Sequence, residues 1–211
     1  MSQPWSRRQV LRATTLPAFS VAASQTAWPP APPSGAPKIC LGASPNTDEA
    51  GMRRLRQIGV EHVLMGGPRI PWTENELRSR MRRFQEAGIT VCNMMIYGFN
   101  DVIWGRPGAE AQTQAVIESI RAAGKVGLPV IEYNFYAHRL TEGYKEETGR
   151  GGAGYTAYDY ELSKNLPPLE DVGVHTRAAH LERARRFLKA IVPVAEQAGV
   201  RLALHPNDPP V

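Results

Sequence analysis

Arg201-Leu202-Ala203-Leu204-His205-Pro206-Asn207-Asp208-Pro209-Pro210 is the stretch that decides the fold. Val200 and the apolar residues after it read as a short buried strand. The prolines and the Asn-Asp pair behind it cannot continue a strand and must turn. His205 therefore stands where the strand stops. In a parallel α/β fold the carboxyl ends of the strands face the ligand, which makes His205 the first candidate for a working residue. A neutral imidazole there suits a transition metal. A histidine bonded to its own loop is the plainer alternative.

Upstream of this strand the same unit recurs, with a helix closing on a glycine and an apolar run starting at the next residue. The junctions are Gln57-Ile58-Gly59-Val60, Glu86-Ala87-Gly88-Ile89, Lys125-Val126-Gly127-Leu128 and Gln197-Ala198-Gly199-Val200. Glycine accepts the left-handed conformation that ends a helix. The runs that follow have the composition of strands buried on both faces, which implies parallel pairing. Strands are expected at 38–42, 60–65, 89–96, 130–135 and 200–205, and helices at 48–58, 74–87, 109–126 and 176–198. Thr73-Glu74-Asn75-Glu76 is a capping box, and Leu77, Met81 and Phe84 share one helix face. Strands alternating with helices define an α/β protein built from βαβ units.

The spacing breaks once. Residues 136–175 are inserted after the fourth strand and carry Gly149-Arg150-Gly151-Gly152-Ala153-Gly154 with Tyr155, Tyr158 and Tyr160. The glycine run lacks the Lys-Ser/Thr ending of a phosphate loop. A long connection leaving a strand's carboxyl end reads as an active-site lid.

The 211 residues suit one domain, and 42% hydrophobic with 21% charged residues is ordinary for a globular chain. Arg7, Arg8 and Arg12 account for more than half of the net charge of +5. The remainder gives no argument for nucleic acid or an anionic membrane. Ser6-Arg7-Arg8-Gln9-Val10-Leu11-Arg12 matches a twin-arginine export pattern, followed by a mildly apolar stretch with Ser20-Val21-Ala22 as a cleavage site. That stretch is too short, and too broken by Pro17, to span a membrane. Residues 1–27 are thus expected to be an export signal leading to the periplasm, and the proline-rich 28–37 an extended linker. Cys40 and Cys92 fall in separate strands without zinc-site spacing, and no bridge is expected between them.

Residues at strand ends form the candidate site. Arg69 follows the second strand, Tyr97 the third, and Asn134, His138 and Arg139 the fourth. An arginine can hold a carboxylate through two hydrogen bonds, and Asn and Tyr can bond hydroxyls. The mixture fits a small hydroxylated carboxylate, with Arg69, Asn134 and Arg139 as binding residues and Tyr97 and His138 as catalytic candidates. Each has a duller alternative as a turn cap or a packed rim residue. Glu132, interior to its strand, is expected to pair with an Arg or Lys. His175 and His180, beside the last helix, suggest no partner.

The His205-Pro206-Asn207-Asp208-Pro209-Pro210 ending resembles the His-Pro-Asp-Asp-Pro-Pro signature of the mannonate dehydratases. The helix around 187–196 and Tyr133-Asn134-Phe135 resemble that family too. The resemblance runs from about residue 38 to 211, with Asn207 where the family usually has Asp. It implies a metal-dependent TIM barrel related to the xylose-isomerase-like enzymes, dehydrating D-mannonate to 2-keto-3-deoxy-D-gluconate with Mn²⁺ or Fe²⁺. It makes His205 a metal ligand and Asp208 a residue orienting one. A (β/α)8 barrel has eight strands, and five β/α units are legible here. The expectation is a partial barrel, cut after its fifth strand, that by itself binds metal weakly and turns over little. A sugar isomerase or epimerase, or a non-catalytic exported sugar-binding module, are the other readings. Oligomeric state stays open.

Overall fold

The computed structural model describes residues 38–136 and 142–206. The export pattern, the linker, His138, Arg139 and Asp208 lie outside the described residues.

Each of the four glycine junctions closes a helix. Gly59, Gly88, Gly127 and Gly199 have φ of +82°, +73°, +76° and +68°, which a side chain at Cβ would resist. The chain thereby turns at once into β2 (His62–Gly66), β3 (Thr90–Ile96), β4 (Val130–Tyr133) and β7 (Arg201–Leu204). With β1 (Cys40–Gly42) these strands form a five-stranded sheet, ordered β1-β2-β3-β4-β7 and parallel at every pairing. Every expected strand is present, with its ends trimmed by a residue or two. The helices are α1 (Glu49–Gln57), α2 (Glu74–Glu86), α4 (Ala109–Val126) and α5 (Arg177–Ala198). Thr73 caps the helix: its hydroxyl accepts from the Glu76 amide at 3.3 Å and donates to the Glu76 carboxylate at 2.7 Å. A fifth helix, the one-turn α3 (Asn100–Trp104), was not anticipated.

One face of the sheet is sealed by helices. Val63, Met65, Val91, Met94, Ile96 and Ile131 are buried there against Leu77, Phe84, Ile120, Phe187 and Ile191. The alternation slips once in β3. Val91 pairs with Val63 but Asn93 with Leu64, so Cys92 is an extra, bulged residue. Val91 and Met94 therefore both face the helices, while Asn93 and Met95 join the opposite, half-buried face. The basic groups on α2 and α5 work locally. Arg83 donates to the Pro45 and Thr47 carbonyls, Arg183 to the Ile103 carbonyl, and Arg185 pairs with Glu182.

The insertion is a folded structure of its own. It contains an antiparallel hairpin, β5 (Tyr144–Thr148) and β6 (Gly154–Tyr158), turned at 149–153. Tyr144 and Tyr158 pack with ring centroids 5.2 Å apart, and Tyr155 donates to Glu147 at 2.9 Å. Tyr158 also shares a hydrogen bond with Ser163. Two of the three clustered tyrosines, Tyr155 and Tyr158, thus belong to the hairpin's own packing, and Tyr160 follows it, exposed.

Phe187 anchors α5 to the sheet. It stacks on Phe99 with centroids 5.1 Å apart, meets Phe135 at 5.6 Å and Tyr133 edge-on at 6.5 Å. Phe187→Ala should cost about 3–5 kcal/mol of stability, read as a lowered urea midpoint at unchanged slope. The hairpin should respond to acid. The Tyr155 hydroxyl first, and Lys145 next, hold the Glu147 carboxyl below its ordinary 4.5. A carboxyl lowered in the folded state stabilises above its unfolded value and stops doing so as pH falls through the folded one. Amide exchange at 144–158 should therefore quicken relative to the main sheet once pH drops below that range. Unchanged protection would count against the Glu147 contacts.

Candidate functional site at the carboxyl end of the sheet

Parallel pairing delivers the ends of β2, β3, β4 and β7 to one edge of the sheet. His205 continues the ladder beyond β7, its amide donating to the Tyr133 carbonyl at 2.9 Å. Its ring lies against Glu132, with Nδ1 2.6 Å from Oε1. Asn93 completes the row by donating its Nδ2 to Oε2 of Glu132 at 2.7 Å. A carboxylate only accepts, so His205 Nδ1 carries a proton and Nε2 keeps its lone pair in the neutral ring. Glu132 thus sets the tautomer of His205. The expected Arg or Lys partner of Glu132 is wrong: no cation pairs with it among the described residues, and its two oxygens are taken by His205 and Asn93. The expectation failed because Asn93 reaches that face only through the bulge at Cys92.

A cavity of about 610 Å³ opens beside this row. Tyr97 and Asn134 line it, with Trp104 of α3 as a wall and Glu142, Glu170 and Asp171 contributed by the insertion. The insertion thus supplies one wall of the cavity. Asn134 Oδ1 is buried with no hydrogen-bond partner among the described residues, so it is an acceptor available to a ligand. Tyr97 is half exposed and donates its hydroxyl proton to the Gly67 carbonyl at 3.0 Å, leaving its oxygen to accept. Burial raises the Tyr133 hydroxyl above its usual range, and this residue packs on the helix side.

Arg69 is exposed in the loop after β2 and is not in the cavity lining. That loop is pinned. The Trp72 amide donates to the Ser119 hydroxyl at 2.8 Å, and the Trp72 indole to the Pro68 carbonyl at 2.9 Å. A Cβ on Gly67 would sit 2.1 Å from the Trp72 ring, so only glycine fits there. His175 and His180 do have partners: His175 Nε2 lies 2.8 Å from the Val172 carbonyl and His180 Nε2 3.0 Å from the Phe135 carbonyl. His180 thereby ties α5 to the end of β4. Of the sequence candidates, the cavity gathers Tyr97 and Asn134. His205 stands in the row beside it, and Arg69 is apart.

These features define an α/β fold built on a parallel sheet, and solved structures share it. The crystal structure of mannonate dehydratase from Streptococcus suis serotype 2 superposes with a TM-score of 0.73 at 22% identity, covering 83% of this chain and 55% of that one. The apo 3-keto-D-glucoside 4-epimerase from E. coli reaches 0.50 at 15% identity, covering 81% and 56%. In sequence, residues 161–211 match the family model described as D-mannonate dehydratase (UxuA). Mannonate dehydratase of Shouchella clausii is 33% identical over 144 residues, 52% of this chain and 39% of that protein. That of Geobacillus thermodenitrificans is 29% identical over 203 residues, 77% and 54%. The chain is thus similar to the mannonate dehydratases, as the His205-Pro206 ending implied, and spans about half the length of the curated relatives it matches.

The metal that the resemblance implies does not find a full donor set among the described residues. No group of three or more His, Cys, Asp or Glu side chains gathers among the described residues. His205 Nε2 is the one well-prepared ligand, since a metal-binding imidazole typically donates its other N–H to a carboxylate. A transition metal normally takes three or more protein ligands.

Glu132→Ala should leave the Asn93 amide and the His205 Nδ1 proton unpaired, at a cost of about 1–3 kcal/mol. Glu132→Gln should lose less, because the buried Asn93 Oδ1, unpartnered among the described residues, can accept from the new amide once Asn93 flips. Urea unfolding would rank the two. Nitrogen-15 chemical shifts of the His205 ring should show the Nδ1–H form prevailing in the parent chain and a mixed population in Glu132→Ala.

Proposed function

We propose that this chain serves a hydro-lyase of the mannonate dehydratase kind, acting on D-mannonate to give 2-keto-3-deoxy-D-gluconate and water. The observation that carries the reading is the Asn93–Glu132–His205 row at the carboxyl end of a parallel sheet, beside a cavity whose Asn134 Oδ1 has no partner among the described residues. Dehydration of a sugar acid needs a base for the acidic proton next to the carboxylate and an acid for the departing hydroxyl. His205 Nε2, with its lone pair fixed by Glu132, is fitted either to take a proton or to hold a divalent metal such as Mn²⁺ or Fe²⁺. Asn134 and the Tyr97 oxygen would accept from sugar hydroxyls.

Charge supports one orientation of the substrate. Glu170 and Asp171 on the insertion side of the cavity disfavour a carboxylate. The substrate's carboxylate would instead point out of the cavity, with its hydroxyl chain inside. The twin-arginine-like Ser6–Arg12 segment supports delivery outside the cytoplasm.

D-Mannonate should raise the melting temperature of the chain, and D-fructose should not. With Mn²⁺ and D-mannonate, any 2-keto-3-deoxy acid formed should vanish with chelator and fall by at least about a hundredfold in His205→Ala. The short donor set predicts slow turnover and weak metal binding by this chain. A response to the neutral ketose alone, or turnover indifferent to His205, would point away from the sugar-acid lyase.

A further inference from the structure

Cys40 and Cys92 sit on strands that are not neighbours. Cys40 opens β1, Cys92 is the bulged residue of β3, and β2 runs between them. Strands two apart in a flat sheet lie about 9.5 Å from one another, beyond the usual reach of a disulfide. Here the two sulfurs are 2.8 Å apart. That is well inside the ordinary separation of non-bonded sulfur atoms and only about 0.8 Å longer than a disulfide bond. Cys92, next after the helix-facing Val91, lies on the face that Cys40 shares with His62, so both sulfurs stand on the same side of β2. Both thiols are half buried, and no hydrogen bond ties them to the Asn93–Glu132–His205 row.

We propose that Cys40 and Cys92 form a redox site, in which a small disulfide oxidant of the glutathione type converts the two thiols into one intramolecular disulfide tying β1 to β3 across β2. The Cys40 thiolate attacks the oxidant, forming a mixed disulfide and releasing one reduced thiol. Cys92 sulfur gives up its proton and attacks Cys40 Sγ, releasing the second. Two protein thiols and one disulfide become one protein disulfide and two thiols, the electrons ending on the oxidant. The order follows from the environment of Cys92. Burial first, and the Cys40 sulfur next, push its thiol up to about 12, and it donates to the Val63 carbonyl at 3.3 Å. Cys92 therefore remains protonated and serves as the resolving group, while Cys40 reacts first. The product would secure the strand that most needs it, since β1 is a three-residue edge strand paired only to β2. The site is independent of the dehydratase reading.

The test uses the full chain, fully reduced, exposed to graded mixtures of reduced and oxidised glutathione, then alkylated and analysed by intact mass and peptide mapping. The parent chain should become two hydrogens lighter, lose both alkylation sites together and give a linked peptide joining Cys40 to Cys92. In urea the same linkage should need roughly tenfold or more oxidant, because folding supplies the effective concentration. Cys92→Ser should instead trap glutathione on Cys40, and Cys40→Ser should leave Cys92 largely unmodified. Three outcomes overturn the proposal: glutathione retained on the parent chain without ring closure, disulfide-linked dimers, or both thiols still alkylated at oxidant levels that close the pair in urea. The parent chain decides the matter even if either serine variant folds poorly.

Discussion

Parallel strand pairing is the constraint from which the rest follows. Each strand must be reached by a helix that runs back along the sheet, and each return must be tight enough to start the next strand at once. Glycines 59, 88, 127 and 199 make those returns. Because every strand then points the same way, residues far apart in the chain end at one edge: Tyr97 after β3, Asn134 after β4 and His205 after β7. The insertion after β4 can be long without disturbing this, since α5 brings the chain back to place β7 beside β4, in register from Val130 with Arg201 to Tyr133 with Leu204.

A second constraint is finer. The side chains of a strand alternate between faces, and one extra residue exchanges them. Strict alternation from Val91 would send Asn93 and Met95 toward the helices and Met94 and Ile96 away from them. That would bury an amide in an apolar layer and expose two large apolar groups. The bulge at Cys92 reverses this. Met94 and Ile96 enter the core, and Asn93 reaches Glu132. One backbone irregularity thus underlies both the core packing of β3 and the polar row.

The fold was legible because its signals are local and repeated. A glycine at a helix end followed by an apolar run needs no knowledge of the rest of the chain. The placement of His205 at a strand end was legible for the same reason. Glu132 was not, since its partners come from two other strands and one of them depends on the bulge. The short helix 100–104 was missed because the six residues between Gly98 and Gly105 are too few to show a helical period. Its place is held by tertiary contacts: the Asp101 amide donates to Gln112 at 2.8 Å, and Gln112 donates back to the Asp101 carboxylate at 3.0 Å. The hairpin at 144–158 was read as a lid from its length and exit point, but its strands carry charged and tyrosine residues in an order that pairing alone makes sense of.

The polar row and the lid meet in a question of charge. Two like charges about 4 Å apart repel by roughly 4 kcal/mol at an effective dielectric constant of 20, so the Glu170 and Asp171 side of the cavity favours hydroxyl groups over anions. Hydroxyl groups meet no such penalty, and acidic side chains accept their hydrogen bonds readily. The insertion thus sets the charge of the cavity wall while the sheet sets the Asn93–Glu132–His205 row, so the two features answer to different parts of the chain.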